Sequence, residues 1–158
     1  MEKSTFLTFL LGNELFAVNV ANVLEVLEQQ QITRVPRAPE HIMGIINFRG
    51  EILPVVNTRQ KFNLPTIDEE SKNFIIVYDL TKDEVNYTVS ATADGVKDVI
   101  EIDPSEIKPV PEMGLSYDTR YIAGVIRRND AFILLIHPDK VFSVADSEVT
   151  KQMETINQ

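Results

Sequence analysis

The sequence predicts an all-β protein made of two small five-stranded barrels around a shared core, with a few short helices. Three observations lead to this fold class. Short runs of β-branched and aromatic residues dominate the chain of 158 residues and alternate with turn-forming residues. Helical periodicity is rare. The second half of the chain also repeats the order of motifs in the first half, which indicates two similar units.

The predicted strands fall into two sets of five. The first set covers residues 5–11, 15–19, 30–34, 43–48 and 52–56, and the second covers residues 73–80, 85–92, 99–102, 121–127 and 131–136. Turn residues separate the strands, as at Gly12-Asn13 and Asn129-Asp130, because Gly, Asn and Asp tolerate positive φ. Five strands can close into a small barrel, which removes exposed strand edges.

Helical signals are few and short. A first helix over residues 20–27, capped by Asn19, is predicted from four apolar residues at the spacing of one helical face: Val20, Val23, Leu24 and Leu27. Short helical turns are predicted at residues 58–62 and 138–142. In the segment after Ser143, one helical face would carry Val149, Met153 and Ile156.

The internal repeat is visible in two pairs of segments. Gly44 and Gly124 each open a strand, a turn, a second strand and a helical turn. These units close at Phe62 and Phe142, so the offset along the sequence is the same at both ends. A second match relates residues 32–36 to residues 107–111. Matching halves without a linker predict two β units packed on one core.

The repeat sets the expected domain boundaries. One domain is predicted over residues 1–145, followed by a tail over residues 146–158. Within the domain, one subdomain covers about residues 5–65 and the other about residues 70–140, with strands exchanged near the chain ends.

Composition and motifs argue against several functional classes. The formal charge of −9 repels phosphate, so nucleic acid and anionic membranes are poor partners. No apolar run approaches the ~18 residues of a membrane span, and no cysteine is available for a disulfide or a thiolate metal site. Gly-rich phosphate loops and Gly-x-Ser-x-Gly motifs are absent, and His41 and His137 occupy non-equivalent places in the two halves. The sequence therefore predicts no catalytic residue, no metal site and no cofactor.

The segment 44–57 has the pattern of a β-hairpin whose turn carries Arg49. Gly44 marks a bend or a close approach to the strand, and Pro54 marks an edge or a bulge. Arg49 is either a solvated turn residue or the partner of a carboxylate. Glu25 is the candidate partner, because a charge inside an otherwise apolar stretch points outward or meets a guanidinium.

Several segments together resemble the CheW family. Its central signature is matched by residues 34–39 (RVPRAP), 42–50 (IMGIINFRG) and 52–57 (ILPVVN). Further matches, in the same order as in the family, are residues 20–26 (VANVLEV), 93–99 (ADGVKDV), 107–111 (IKPVP), 121–124 (YIAG) and 132–136 (FILLI). The resemblance covers roughly residues 5–143. Departures are Asn57, where the family often has Asp, the segment 90–93 (SATA), and His137-Pro138.

The resemblance implies two SH3-like barrels and a non-enzymatic adaptor of bacterial chemotaxis. Such an adaptor couples the cytoplasmic tips of chemoreceptors to the regulatory domain of the histidine kinase CheA. The implied location is the cytoplasm, at membrane-associated receptor arrays, without insertion into the membrane. The implied state of the isolated chain is a monomer.

The resemblance also implies a receptor-binding groove between the barrels. Its predicted lining consists of Val23, Ile42, Gly44, Asn47, Val96 and Val99. A Glu25–Arg49 ion pair is expected beside the groove, with Gly50 in the turn. The valines would serve as apolar walls, and Gly44 would let a receptor helix approach closely. The alternative for each valine is a place in the core.

Other functions remain open at this stage. The chain could serve another chemosensory array, such as one for type IV pilus control, or form the adaptor half of a CheV-like protein. A small β-barrel enzyme and a peptide-binding SH3-like module belong to different classes. The peptide-binding module is disfavoured, because grooves for Pro-rich ligands are lined by aromatic residues and this chain has no Trp and four Tyr.

Overall fold

The computed structural model describes residues 3–28, 30–64, 74–110 and 119–150. In these ranges the strands are β1 Ser4–Leu11, β2 Glu14–Asn19, β3 Val23–Glu28, β4 Ile42–Phe48, β5 Glu51–Val56, β6 Phe74–Lys82, β7 Val85–Ala93, β8 Gly95–Ile102, β9 Ile122–Arg128 and β10 Ala131–Ile136. The helices are single turns, α1 Thr58–Lys61, α2 Pro138–Val141 and α3 Val144–Ser147. The prediction of an all-β fold with a few short helices is confirmed.

The region after Asn19 is a turn and a strand, so the predicted helix over residues 20–27 is wrong. A single 3₁₀ turn spans Val20–Asn22, and the Asn19 side chain accepts a hydrogen bond from the Ala21 amide at its start. The chain then enters β3, which pairs with β6 in antiparallel fashion. Pairing with β6 satisfies the backbone hydrogen bonds of this segment, and its β-branched valines favour a strand. Tertiary context therefore outweighs the helical spacing of the apolar residues.

Each sheet takes strands from both repeats. Sheet 1 has the order β8-β1-β2-β10-β9, and sheet 2 has the order β3-β6-β7-β5-β4. The first hairpin of each repeat therefore pairs with the last three strands of the other repeat. Each exchanged hairpin makes two joins. One is antiparallel, between β1 and β8 and between β6 and β3. The other is parallel, between β2 and β10 and between β7 and β5. A whole hairpin of each repeat is thus exchanged into the sheet of the other repeat.

A short segment closes each sheet across its edges. Thr33 follows β3 at one edge of sheet 2 and pairs with Ile45 of β4 at the other edge, through bonds of 2.9 and 2.8 Å. Lys108 follows β8 and pairs with Val125 of β9 through two bonds of 2.9 Å. These bridges fall in the two segments, 32–36 and 107–111, that match each other in sequence. Strand-like pairing at residues 30–34 is thus reduced to one bridge, at Thr33.

The central strands are buried on both faces. In β6, Ile75 and Val77 pack inside the barrel of sheet 2, whereas Ile76 and Tyr78 join a cluster that both sheets share. In the same way β10 divides its apolar residues between the interior of sheet 1 and the shared cluster. Burial on two faces explains the continuous apolar runs of these strands.

Two phenylalanines tie the two sheets together across the shared cluster. Phe62 follows α1 and contacts Phe16 and Tyr121, with ring centroids 5.1 and 5.6 Å apart. Phe142 follows α2 and contacts Tyr78 at 4.8 Å. Both phenylalanines are fully buried. Phe62 follows a strand of sheet 2 and packs against sheet 1, whereas Phe142 follows a strand of sheet 1 and packs against sheet 2. The turn that ends each repeat is therefore anchored to the opposite sheet.

We expect Phe142→Ala to lower the free energy of unfolding by about 3–5 kcal/mol, because it leaves a cavity in the shared cluster. Phe132→Ala removes the same atoms from an exposed site on β10 and should change it by less than about 0.5 kcal/mol. Urea unfolding followed by circular dichroism measures both. Equal losses in the two variants would contradict the anchoring role.

Candidate functional site

The tip of the β4–β5 hairpin carries the expected pair of charges. Arg49 Nη2 lies 3.2 Å from Glu25 Oε2, which links the tip to β3. The guanidinium also lies 4.8 Å from the centroid of the Phe48 ring. The Asn47 side-chain oxygen accepts the Gly50 amide at 2.9 Å and shapes the turn, in which both Arg49 and Gly50 have positive φ. The side chains of Arg49 and Glu25 are 70% and 37% exposed, so the pair contributes only ~0–1 kcal/mol.

The space beside Gly44 is occupied by another segment of the same chain. A Cβ atom placed on Gly44 would lie 2.2 Å from the carbonyl oxygen of Thr33, which closes sheet 2. In sheet 1, a Cβ on Gly124 would lie 2.5 Å from Ile107 Cγ2 and 3.1 Å from the carbonyl oxygen of Lys108. The close approach predicted at Gly44 is therefore real, but the approaching backbone belongs to this chain. This corrects the expectation that Gly44 makes room for a receptor helix.

Three of the predicted groove residues belong to, or pack against, the apolar cluster that both sheets share. Ile42 is buried in the shared cluster, and Val23 and Val96 pack against that cluster while remaining partly exposed. Val23 belongs to β3 of sheet 2, and Val96 belongs to β8 of sheet 1. Val99 is exposed three residues further along β8. Apolar surface therefore continues from the shared core outward along β8.

The remaining predicted residues lie elsewhere. Asn47 is five residues beyond Ile42 on β4, which corresponds to about 17 Å at the rise of ~3.3 Å per residue in a strand. It shares the hairpin tip with Arg49 and Gly50. The described structure thus separates the set into an apolar junction and a charged hairpin tip, with Gly44 buried between them.

A buried carboxylate that the sequence analysis missed joins three elements. Asp146 of α3 has a side chain only 5% exposed. His41 Nε2, in the turn before β4, lies 2.6 Å from Asp146 Oδ1, and Lys61 Nζ of α1 lies 3.2 Å from Oδ2. The Ser143 amide donates to Oδ2 at 3.0 Å, and the Ser143 hydroxyl accepts the Asp146 amide. The Ser-x-x-Asp spacing of this capping box is the signal that could have found it.

These partners control the ionisation of the buried groups. Burial alone would raise the pKa of Asp146, but the hydrogen bonds from Ser143 and His41 and the charge of Lys61 outweigh it, so that pKa lies below its ordinary value. Burial, with the charges of Asp139 and Asp146, raises the pKa of Tyr87 to about 12. Asp146 is therefore an anion at neutral pH, and the Tyr87 hydroxyl remains a hydrogen-bond donor.

Helix α1 has a second buried pair on its other side. Arg59 Nη2 lies 2.5 Å from Asp94 Oδ2, between β7 and β8, and both side chains are largely buried. Asp94 Oδ2 also accepts the Gly12 amide of the β1–β2 turn at 2.5 Å. The two cations of α1 therefore reach acids on different elements, which fixes this turn between the sheets.

The comparisons with known proteins agree with this architecture. A sequence model of the CheW-like domain matches residues 5–146. The chain belongs to the CheW family. It is 30% identical to the chemotaxis protein CheW of Klebsiella aerogenes, over 87% of this chain and 81% of that protein. It is 29% identical to the CheW protein of Bacillus subtilis, over 90% and 88%. Protein FrzA of Myxococcus xanthus is also 29% identical, over 89% and 86%.

A solved CheW structure supports the same fold. The scaffolding protein TtCheW of Thermoanaerobacter tengcongensis superimposes with a TM-score of 0.78 at 29% identity, over 95% of this chain and 94% of that one. Because its relatives are chemotaxis coupling and scaffold proteins, the chain is a chemotaxis adaptor of the CheW type. No helix in the described ranges is long and apolar enough to cross a membrane.

We expect Gly44→Ala to destabilise the fold by about 1–3 kcal/mol, because the new methyl group meets the Thr33 carbonyl of the closing bridge. Gly95→Ala is the control, since its methyl group would meet only Leu10 side-chain atoms, the nearest at 3.4 Å. Thermal and urea unfolding compare the two variants. A stable Gly44→Ala variant would mean that the space beside Gly44 is open.

Removing the charge of Asp146 should cost about 1.5–3 kcal/mol at pH 7, because Asp146→Asn loses hydrogen bonds to a charged acceptor. A pKa lowered by folding stabilises the protein above the unfolded pKa of about 3.9, and this contribution is lost as the pH falls through the folded value. The difference between wild type and variant should therefore shrink between pH 7 and pH 3. Asp79→Asn, at an exposed site on β6, should show no such change. A difference independent of pH would exclude this role of the carboxylate.

Proposed function

We propose that this chain couples the cytoplasmic tips of chemoreceptors to the regulatory domain of CheA, at receptor arrays. The observation that carries the receptor contact is the apolar surface at the junction of the sheets. Val23 and Val96 expose part of their surface there, next to Val99 on β8. A helical receptor tip presents an apolar face, and a groove between packed elements accommodates such a face.

The pseudo-twofold arrangement supports this site. The sequence offset between Leu24 on β3 and Val99 on β8 equals the offset between the matching segments 32–36 and 107–111. The two residues therefore occupy equivalent places in the two repeats. Their exposed fractions are 49% and 61%. Large exposed apolar side chains at equivalent sites on two edge strands are typical of surfaces that bind partners. The charged hairpin tip at Arg49 follows β4, the strand that begins at Ile42, and it would contribute orientation to the bound partner rather than affinity.

The kinase contact is assigned to the two barrel ends. Ile52 and Phe132 are the second residues of β5 and β10. The sequence offset between them equals the offset between Gly44 and Gly124, so they are equivalent in the two repeats. Their side chains are 44% and 63% exposed. The regulatory domain of CheA is similar to CheW, so each end can meet a complementary barrel. Two such ends on one adaptor allow alternating assemblies with the kinase. The adaptor acts by positioning its partners, without catalysing a reaction.

Two substitutions separate the receptor contact from the kinase contact. We expect Val99→Asp to abolish binding to receptor fragments while binding to CheA and the melting temperature are retained. Phe132→Asp should weaken CheA binding and leave receptor binding intact. Both residues are exposed, so neither change buries a charge. Co-sedimentation with receptor fragments and calorimetric titration with CheA measure the two activities.

The pattern of losses decides between the alternatives. A parallel loss of both activities, or of neither, would contradict the assignment of separate surfaces. A pull-down from lysate of the source cell identifies the kinase and the receptors, and so distinguishes chemotaxis from another chemosensory array. Reproducible turnover in a hydrolase screen that disappears in Asp94→Ala or His137→Ala would favour an enzyme instead.

A further inference from the structure

A β-bulge in the edge strand β8 brings Val96 and Val99 to one face of sheet 1. In a regular strand, residues three apart point to opposite faces, because side chains alternate. Here Val96 pairs with Phe9 and Val99 pairs with Leu7, and the register shifts between these pairs. Thr8 therefore opposes two residues of β8, which is the arrangement of a bulge. Since directly paired residues share a face, the two valines lie on the same side of the sheet.

That face is the one turned toward the shared apolar cluster. Leu7 and Phe9 are buried in the cluster, and Val96 packs against it. The other face of β1 and β8 is turned toward the interior of sheet 1, where Phe6 and Ile100 pack. Without the extra residue, one of the two valines would point to that interior. The continuous apolar surface along β8 therefore depends on the bulge.

The hydroxyl of Thr8 holds the bulge from the neighbouring strand. It donates to the carbonyl oxygen of Asp98 at 3.0 Å and accepts the Asp98 amide at 2.9 Å. The residue is only 3% exposed, so these bonds are shielded from water. A bulge disrupts the ladder locally and leaves main-chain groups of its extra residue unpaired. One buried hydroxyl therefore supplies both a donor and an acceptor to the bulged residue.

We propose that Thr8 is a positioning residue for the receptor contact, because its hydroxyl fixes the bulge that keeps Val99 on the same face as Val96. Thr8 is buried, so it acts through the main chain of Asp98. This role rests on the function proposed above, in which the exposed valines belong to the receptor surface. It differs from a packing role, because the hydroxyl of Thr8 carries the effect and its volume does not.

Substitutions of Thr8 separate the hydroxyl from the shape of the side chain. Thr8→Val keeps the branched shape, and we expect it to weaken binding to receptor fragments about tenfold, because the bulge loses two hydrogen bonds. CheA binding should be retained. Thr8→Ser keeps the hydroxyl and should bind receptor as wild type does. Equal receptor binding by the two variants would overturn the proposal.

The control removes a buried hydroxyl from the other sheet. Ser90 of β7 donates to the carbonyl oxygen of Pro54 at 2.6 Å and is fully buried. Ser90→Ala therefore loses a comparable hydrogen bond without touching β8, and it should leave receptor binding unchanged. A loss as large as that of Thr8→Val would mean that general destabilisation causes both, and would also overturn the proposal.

A shortened strand tests the bulge itself. Replacing Lys97-Asp98 by a single valine, as Lys97→Val with Asp98 deleted, leaves Val96 and Val99 on one face of a regular strand. Receptor binding by this chain should no longer depend on the hydroxyl, so adding Thr8→Val should not weaken it further. A further loss would show that Thr8 acts by another route and would contradict the positioning role.

Hydrogen exchange reports on the bulge without any partner. The Asp98 amide should exchange at least about tenfold faster in Thr8→Val than in wild type, and it should stay protected in Thr8→Ser. Unchanged exchange in Thr8→Val would overturn the proposal. Val99→Asp is measured in the same receptor assay. If it abolishes binding and Thr8→Val does not weaken it, the receptor surface stands and the role of Thr8 is wrong. If Val99→Asp binds normally, the receptor surface is wrong and the role of Thr8 falls with it.

Discussion

The first hairpin of each repeat is paired with the last three strands of the other repeat, and neither sheet can therefore form from one half of the chain. Antiparallel joins between β1 and β8 and between β3 and β6, with parallel joins between β2 and β10 and between β5 and β7, hold the halves together. The shared apolar cluster then fills from both sheets, with Phe62 and Phe142 crossing in opposite directions. Every surface assigned to a partner is built on this exchange, since the junction of the sheets exists only when both repeats contribute.

The fold class was predictable because its signals are local or repeated. Apolar runs bounded by turn residues located most strands, and the match between residues 32–36 and residues 107–111 marked the two closing bridges. Which strands form each sheet was not predictable, because the sequence pattern of a hairpin is the same whichever strands pair with its edges. Residues 20–27 misled for a related reason. Their apolar spacing suits a helix, but β6 offers this backbone a strand partner.

The candidate site was predictable only in part. Glu25 was singled out because a charge within an apolar stretch points outward or meets a guanidinium, but the exposure of Glu25 and Arg49 could not be inferred. Gly44 showed that something approaches closely, and the sequence could not tell a partner's backbone from the chain's own Thr33. Asp146 escaped notice because its partners lie in distant parts of the chain. The capping box is the only local sequence pattern that indicates this carboxylate, because burial depends on residues far away in the chain.

The parallel join between β2 and β10 has a consequence during synthesis. β2 ends at Asn19 and β10 begins at Ala131, so most of the chain is made before β2 meets this partner. At a translation rate of roughly 5–20 residues per second, the open edge of the first hairpin waits about 5–20 s on the ribosome. Phe9 and Phe16, both fully buried in the finished protein, belong to that waiting hairpin. The nascent chain therefore has an unpaired apolar edge for seconds, a state in which chains are prone to aggregate.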